Sequence, residues 1–153
     1  AIEALQGDGW LVVASAGNDA SCRRTWPAAL KDVVSVAAVG PHGPAWFSNF
    51  GPWVDACAPG VDIVSQYPKP DESLNALEGC EDLTAKDYDT GWATWSGTSF
   101  AAPVVAARLA THLIKFAGAG LSKEDAYDHA LETVILNPAL ARIPSFGTIV
   151  NEA

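Results

Sequence analysis

The segment from Phe100 to Ala107 carries no charged side chain, and it constrains the fold of this chain more than any other stretch. Val104, Val105, Leu109, Leu113 and Ile114 continue the apolar surface. A helix that is apolar on all sides for two turns has to be buried. Pro103 is tolerable only near the start of such a helix, which places its N-terminus at Thr98 or Ser99. Lys115 falls in the last turn, and Gly118 ends it. A second helix is expected after Ser122, an N-cap residue with Asp125 three positions on, in place of the usual Glu or Gln of a capping box. Its apolar face is Ala126, Ala130, Leu131 and Val134.

What precedes the buried helix reads as strands. Trp10 to Ala16 is a continuous apolar run closed by Gly17-Asn18-Asp19, the pattern of a buried strand in a parallel sheet. Val33 to Val39 is a second such run. Asp55 to Gly60 reads as a turn, leading into a third short strand over Val61 to Ser65. Ala1 to Leu5 reads as the last turn of a helix stopped by Gly7-Asp8-Gly9. Strands alternating with buried helices predict an α/β fold with a mostly parallel sheet. Pro68 to Thr90 shows no period and reads as a long, acidic surface loop, and loops beyond about 12–15 residues are commonly functional.

Composition bounds the partners. The 153 residues suit one domain or a large piece of one, with 49% hydrophobic residues to build a core. A net charge of -9 argues against nucleic acid, because phosphate binding needs clustered Lys and Arg. No run reaches the roughly 18 uninterrupted apolar residues expected of a membrane span. Ala1 opens directly into Ile-Glu-Ala-Leu with no signal-peptide pattern, which leaves the compartment open. Cys22, Cys57 and Cys80 lack metal-site spacing; they allow one bridge and leave one thiol over.

Chemistry concentrates in Trp95-Ser96-Gly97-Thr98-Ser99-Phe100-Ala101-Ala102-Pro103. A hydroxyl here sits in the first turn of a buried helix, where free backbone N–H groups and the positive end of the dipole suit a developing oxyanion. From this segment alone, Ser99 could equally be an N-cap. Val12 to Asn18 adds an amide side chain at the end of a buried strand, on a turn preceded by Gly. Together, in this order, the two segments resemble the subtilisin-like serine proteases, the subtilase family. Trp46-Phe47-Ser48-Asn49-Phe50-Gly51 resembles that family's F-S-N-Y-G turn, and Val54 to Gly60 its V-D-x-x-A-P-G loop. Ile143 to Asn151 resembles its closing G-x-x-N segment, most like the proteinase K branch.

The resemblance implies a three-layer subtilisin-like fold whose buried helix starts at the nucleophile, and a serine endopeptidase acting on protein or peptide substrates. Ser99 matches the nucleophile of G-T-S-x-A-x-P, and Asn18 the oxyanion-hole amide. Ala14, Ser15, Ala16 and Gly17 match one wall of the pocket for the residue before the scissile bond. The chemistry needs no cofactor. Asp55 matches a carboxylate that some members use for structural calcium, aided by carbonyls near Lys31 and Val33; a surface salt bridge is the local alternative. Phe100 and Val104 stand where the family usually has Met and His.

The family's D-[ST]-G and H-G-T-H-V motifs are not in this sequence, and the Asp, His, Ser order of subtilases places them before Ser. The resemblance therefore implies the C-terminal portion of one catalytic domain, with an N-terminal half as partner. His112 lies on the Ser99 helix about 20 Å further along at 1.5 Å per residue, and His42 and His129 read as surface residues. An α/β-hydrolase is disfavoured, since position 101 is Ala where its elbow needs Gly. A catalytically inactive subtilase-like binding or scaffold module is the standing alternative. The family arrangement also implies neighbouring loops for Cys22 and Cys57, hence a disulfide and a secreted or extracytoplasmic protein. Cys80 competes for Cys57, and three free thiols in the cytoplasm is the alternative.

Overall fold

The computed structural model describes residues 2–7, 9–67 and 91–151. The elements are, in order, α1 (Ile2–Gly7), β1 (Val12–Ser15), β2 (Val33–Gly40), β3 (Gly43–Pro44), β4 (Ala56–Pro59), β5 (Ile63–Gln66) and β6 (Trp92–Trp95). Then come α2 (Thr98–Gly118), α3 (Lys123–Leu131) with a π-helical turn over Glu132–Leu136, β7 (Arg142–Ile143) and β8 (Gly147–Ile149). The chain divides into two compact units: Ala1–Val61 with Gly97–Ala153, and Asp62–Ser96. In the second unit β5 and β6 pair antiparallel, with Ile63 opposite Trp95 and Gln66 opposite Trp92. The acidic stretch and Cys80 lie outside the described residues.

The first unit is built on a mixed, mostly parallel sheet in the order β1-β2-β4-β8-β7, with β3 folded back on β2. Alternate residues of β2 feed opposite faces, as the period of a strand requires. Val34, Val36 and Ala38, with Ala56 and Ala58 of β4, pack against Ala101, Val105 and Leu109 of α2 and against Ala130, Val134 and Ile135. Ala37, Val39 and Cys57 face the other way, toward Ala16 and Val54. Leu109 is fully buried, and a core Leu of this kind stabilises by about 2–5 kcal/mol relative to Ala.

Two helix expectations hold closely. α2 starts at Thr98 and ends at Gly118 with Lys115 in its last turn. Pro103 lies inside it and has no N–H for the Ser99 carbonyl four residues earlier. Only its inward stripe is buried, however: Ile114 is exposed. By length and a mean hydropathy of 1.3, α2 is also the one helix among the described residues long and apolar enough to cross a membrane. That apolarity has a local use here, because Ala101, Val105 and Leu109 are core residues. At α3, Ser122 Oγ accepts from Asp125 N (3.1 Å) and donates to Asp125 Oδ2 (2.6 Å). Asp is shorter than Glu, so its carboxylate meets the cap hydroxyl instead of the cap backbone N–H.

The strand expectations need correction. The run from Trp10 narrows to Val12–Ser15, and these residues are only half-buried because β1 stands at the end of the strand order. Trp10 is 63% exposed. The Ala-Cys-Ala-Pro segment read as a turn is a strand, β4, held in register by Val36 to Val39 on one side. On its other side Ala56 and Cys57 pair with Thr148 and Ile149 of β8. Small residues of modest strand preference become a strand here through partners distant in sequence.

The disulfide implied for Cys22 and Cys57 does not form; both are free thiols. Cys57 points from the middle of β4 into the cluster of Ala37, Val39 and Val54, whereas Cys22 is exposed. Burial pushes the Cys57 thiol up to about 11. Cys22, exposed, is therefore expected to alkylate rapidly, and Cys57, sealed and slow to form the reactive thiolate, only after unfolding. Mass mapping of iodoacetamide adducts over time checks this, and early modification of Cys57 would contradict it.

Candidate active site

The turn after β1 and the first turn of α2 meet at Asn18 and Thr98. Asn18 Oδ1 accepts from Thr98 N and from Thr98 Oγ1, each at 2.9 Å. Thr98 Oγ1 in turn accepts from Gly17 N at 3.2 Å. A backbone N–H can only donate, so Thr98 fixes the oxygen end of the Asn18 amide. The Nδ2 end has no acceptor among the described residues. Thr98 itself is 0% exposed, a fixed post at the helix start.

An accounting of N–H groups at the start of α2 isolates one more donor. A helix leaves its first N–H groups without intrahelical partners. Gly97 N donates to Gly60 O (2.8 Å), Thr98 N to Asn18 Oδ1 (2.9 Å) and Phe100 N to Gly97 O (3.0 Å). Ser99 N has no acceptor among the described residues. A Cβ built on Gly97 would stand 3.4 Å from Asn18 Nδ2 and 3.8 Å from Ser99 N. Two free donors therefore flank one small space, which a side chain at position 97 would fill. The helix dipole adds positive potential there. The alternative role of Ser99 as an N-cap is corrected: Gly97 is the N-cap, with no side-chain cap bond, and Ser99 is exposed one residue into the helix.

The loop carrying Asn18 is held from below. Gly17 has φ +102, and a Cβ there would meet Asn49 Nδ2 at 2.5 Å, so only glycine fits on both counts. Ala14 and Ser15 lie on β1, in register with Ser35 and Val36. Ala16 is buried, with its N–H on Val36 O at 2.8 Å. The four candidate pocket-wall residues thus form one continuous edge leading to Asn18.

Asp55 serves the sheet. Its Oδ2 accepts from Ser35 N (2.9 Å) and Ser35 Oγ (2.7 Å). Among the described residues Asp55 is engaged by this serine and by no cation, in place of the expected surface salt bridge. Lys31 O, a carbonyl counted toward a calcium set, accepts from Gln6 Nε2 at 3.2 Å. Among the described residues no three His, Cys, Asp or Glu side chains cluster to hold a metal. Asp55 Oδ2 is thus occupied by two donors, both from Ser35.

The histidines gather elsewhere. His112 and His129 both lie against Phe116, with ring centroids 6.0 and 5.5 Å from it. Burial, then Arg108 and Lys115, hold His112 below its ordinary pKa. His42 is exposed in the β2–β3 turn. No hydrogen bond joins Ser99 to a histidine among the described residues. A concavity of about 480 Å³ lies beside Trp10 and Tyr127, and Ser99 is not among its lining residues. Two contributors were not singled out in the sequence: Thr98, inside the G-T-S motif, and Asn49, inside the F-S-N turn. The motifs marked both positions without saying what either side chain does.

The subtilase family model matches residues 1–149, and the chain belongs to that family. It is 41% identical over 99 residues to a thermophilic serine proteinase of Bacillus sp. (strain AK1), covering 64% of this chain and 20% of that protein. It is 32% identical over 130 residues to halolysin of Haloferax mediterranei, covering 82% of this chain and 20% of that protein. Among solved structures, the S218A mutant of the protease domain of PatA superposes with TM-score 0.73 at 26% identity, covering 98% of this chain and 48% of that one. The chain thus spans about a fifth of the length of these curated relatives.

Proposed function

We propose that this chain supplies the nucleophile and oxyanion hole of a serine endopeptidase. The observation that carries the reading is the pair of free donors, Ser99 N and Asn18 Nδ2, flanking one space beside an exposed Ser99 hydroxyl. In this reading Ser99 Oγ attacks the scissile carbonyl carbon. The carbonyl oxygen takes the electron pair and is held by the two donors. A histidine accepts the Oγ proton and returns it to the leaving amine as the C–N bond breaks. Water then hydrolyses the ester on Ser99 by the same route. That histidine and the aspartate that orients it come from outside this chain, from an N-terminal half of the same catalytic domain. The substrate is a polypeptide, with Ala14 to Gly17 lining the pocket for the residue before the cut. Their small side chains leave room for a sizeable group. The chemistry requires no cofactor.

Work outside the cytoplasm fits this reading. One relative, 32% identical over 128 residues, is a halolysin-like extracellular serine protease of Natrialba magadii.

Asn18→Ala tests the site. In the enzyme assembled with its Asp- and His-bearing half, kcat should fall about 10²–10³-fold, or roughly 2.7–4 kcal/mol, with KM little changed; the magnitude is that measured for the oxyanion-hole Asn of subtilisin. Steady-state kinetics on a peptide anilide read both constants. An effect confined to KM would make Asn18 a ground-state contact. Full activity would favour a scaffold module that does not use this site.

A further inference from the structure

We propose that Asn49 is the positioning residue of the oxyanion hole, holding the loop that aims Asn18; this rests on the catalytic reading above. Asn49 is 1% exposed, and the hydrogen bonds of its side chain go to neither Asn18 nor Ser99. Its polar groups bracket Asn18 on both sides. Upstream, Asn49 N donates to Gly17 O and Asn49 Nδ2 to Ala16 O, each at 2.9 Å. Downstream, Asn49 Oδ1 accepts from Asp19 N at 2.9 Å and from Ser21 N at 3.1 Å. Two N–H donors face the oxygen and a carbonyl faces the nitrogen, so the amide has only one orientation. The residues between these clamps are Gly17, Asn18, Asp19 and Ala20.

The loop needs such a clamp. Ala20 has φ 50, the left-handed region that a residue with a Cβ occupies only when its surroundings hold it there. Neighbours of Asn49 add to the hold: Ala20 N donates to Phe47 O at 2.8 Å and Phe50 N to Ser21 O at 3.1 Å. The clamp is itself anchored in the core. Phe47 belongs to the main cluster, and Ser48 Oγ accepts from Ala38 N of β2 at 3.0 Å. A rigid line thus runs from the sheet through Ser48 and Asn49 to both flanks of Asn18. Thr98 fixes the tip of the Asn18 side chain, and Asn49 fixes its backbone. Displacement of a catalytic donor by about 1 Å can cost about 10²-fold in rate.

The test is a mutant cycle in the assembled enzyme, with active sites counted by fluorophosphonate titration so that only folded protein enters kcat. Asn49→Ala should lower kcat about 10–10²-fold with KM changed less than about threefold. Asn49→Asp keeps the shape and the acceptor but loses the donor to Ala16 O, and should give an intermediate loss. If Asn49 acts through Asn18, then Asn49→Ala adds less than about threefold to the loss already caused by Asn18→Ala. Equal losses of Asn49→Ala in both backgrounds would overturn the proposal, as would unchanged kcat in either single variant. Failure of both Asn49 variants to yield soluble protein, where Asn18→Ala does, would make Asn49 purely structural and also overturn it. If Asn18→Ala itself leaves kcat unchanged, the catalytic reading fails first, and the two failures are told apart.

Discussion

Ser99→Ala is expected to abolish covalent labelling by a fluorophosphonate and to lower kcat about 10⁶-fold, the scale measured for the nucleophile of subtilisin. The hydroxyl is the only group proposed to bond to substrate carbon, so no neighbour can replace it. What survives should be the slow rate supported by binding and the oxyanion donors alone. Fold and site geometry should be unchanged, because Ser99 is exposed and is not the helix cap. Labelling and peptide hydrolysis should therefore vanish together while the melting temperature stays within a few degrees. Persistent labelling of Ser99→Ala would move the nucleophile elsewhere and undo the reading of the G-T-S segment.

The 153-residue chain by itself should show peptide-amide hydrolysis far more than tenfold below that of the enzyme with its Asp- and His-bearing half. A serine without a base keeps its ordinary, unreactive hydroxyl. The histidines that the described residues do bring together, His112 and His129, lie against Phe116 near the far end of α2. The isolated chain should also fold poorly. β1 ends the strand order with half-buried side chains, and an unpaired strand edge invites association. Turnover by the isolated chain within tenfold of the longer enzyme would rule out the missing-base argument. Recovery of activity on adding a separately produced Asp- and His-bearing half would support it strongly.

Several features were legible in the residues because their causes are local. The uncharged run Phe100 to Ala107, with Pro103 near its start and Gly118 as a stop, marks a helix, and α2 spans Thr98–Gly118. Ser122 followed by Asp125 carries its own cap, which forms as read. Val33 to Val39 is apolar throughout and becomes the central strand, β2. The motifs that identified the family work for the same reason. Each packs several special requirements, such as a glycine with no room for a Cβ at Gly17, into a few adjacent residues.

Other features depend on partners far away in sequence. Ala56 to Pro59 has the look of a turn, and becomes a strand only because β2 and β8 offer ladders on both sides. Cys57 consequently faces a sealed apolar cluster and not Cys22, so the pairing suggested by loop proximity fails. Asp55 is engaged by Ser35 across the sheet, a partnership that its place in the V-D-x-x-A-P-G loop does not reveal. Asn49 could be recognised as part of a motif, but its work is a set of hydrogen bonds to residues about thirty positions earlier. By itself the sequence determined where the long apolar helix runs and which hydroxyls stand in its first turn; which stripe of it is buried was decided by packing. Tertiary structure alone decided which N–H groups lack an acceptor beside those hydroxyls, because a donor stays free only where the fold brings no acceptor within reach.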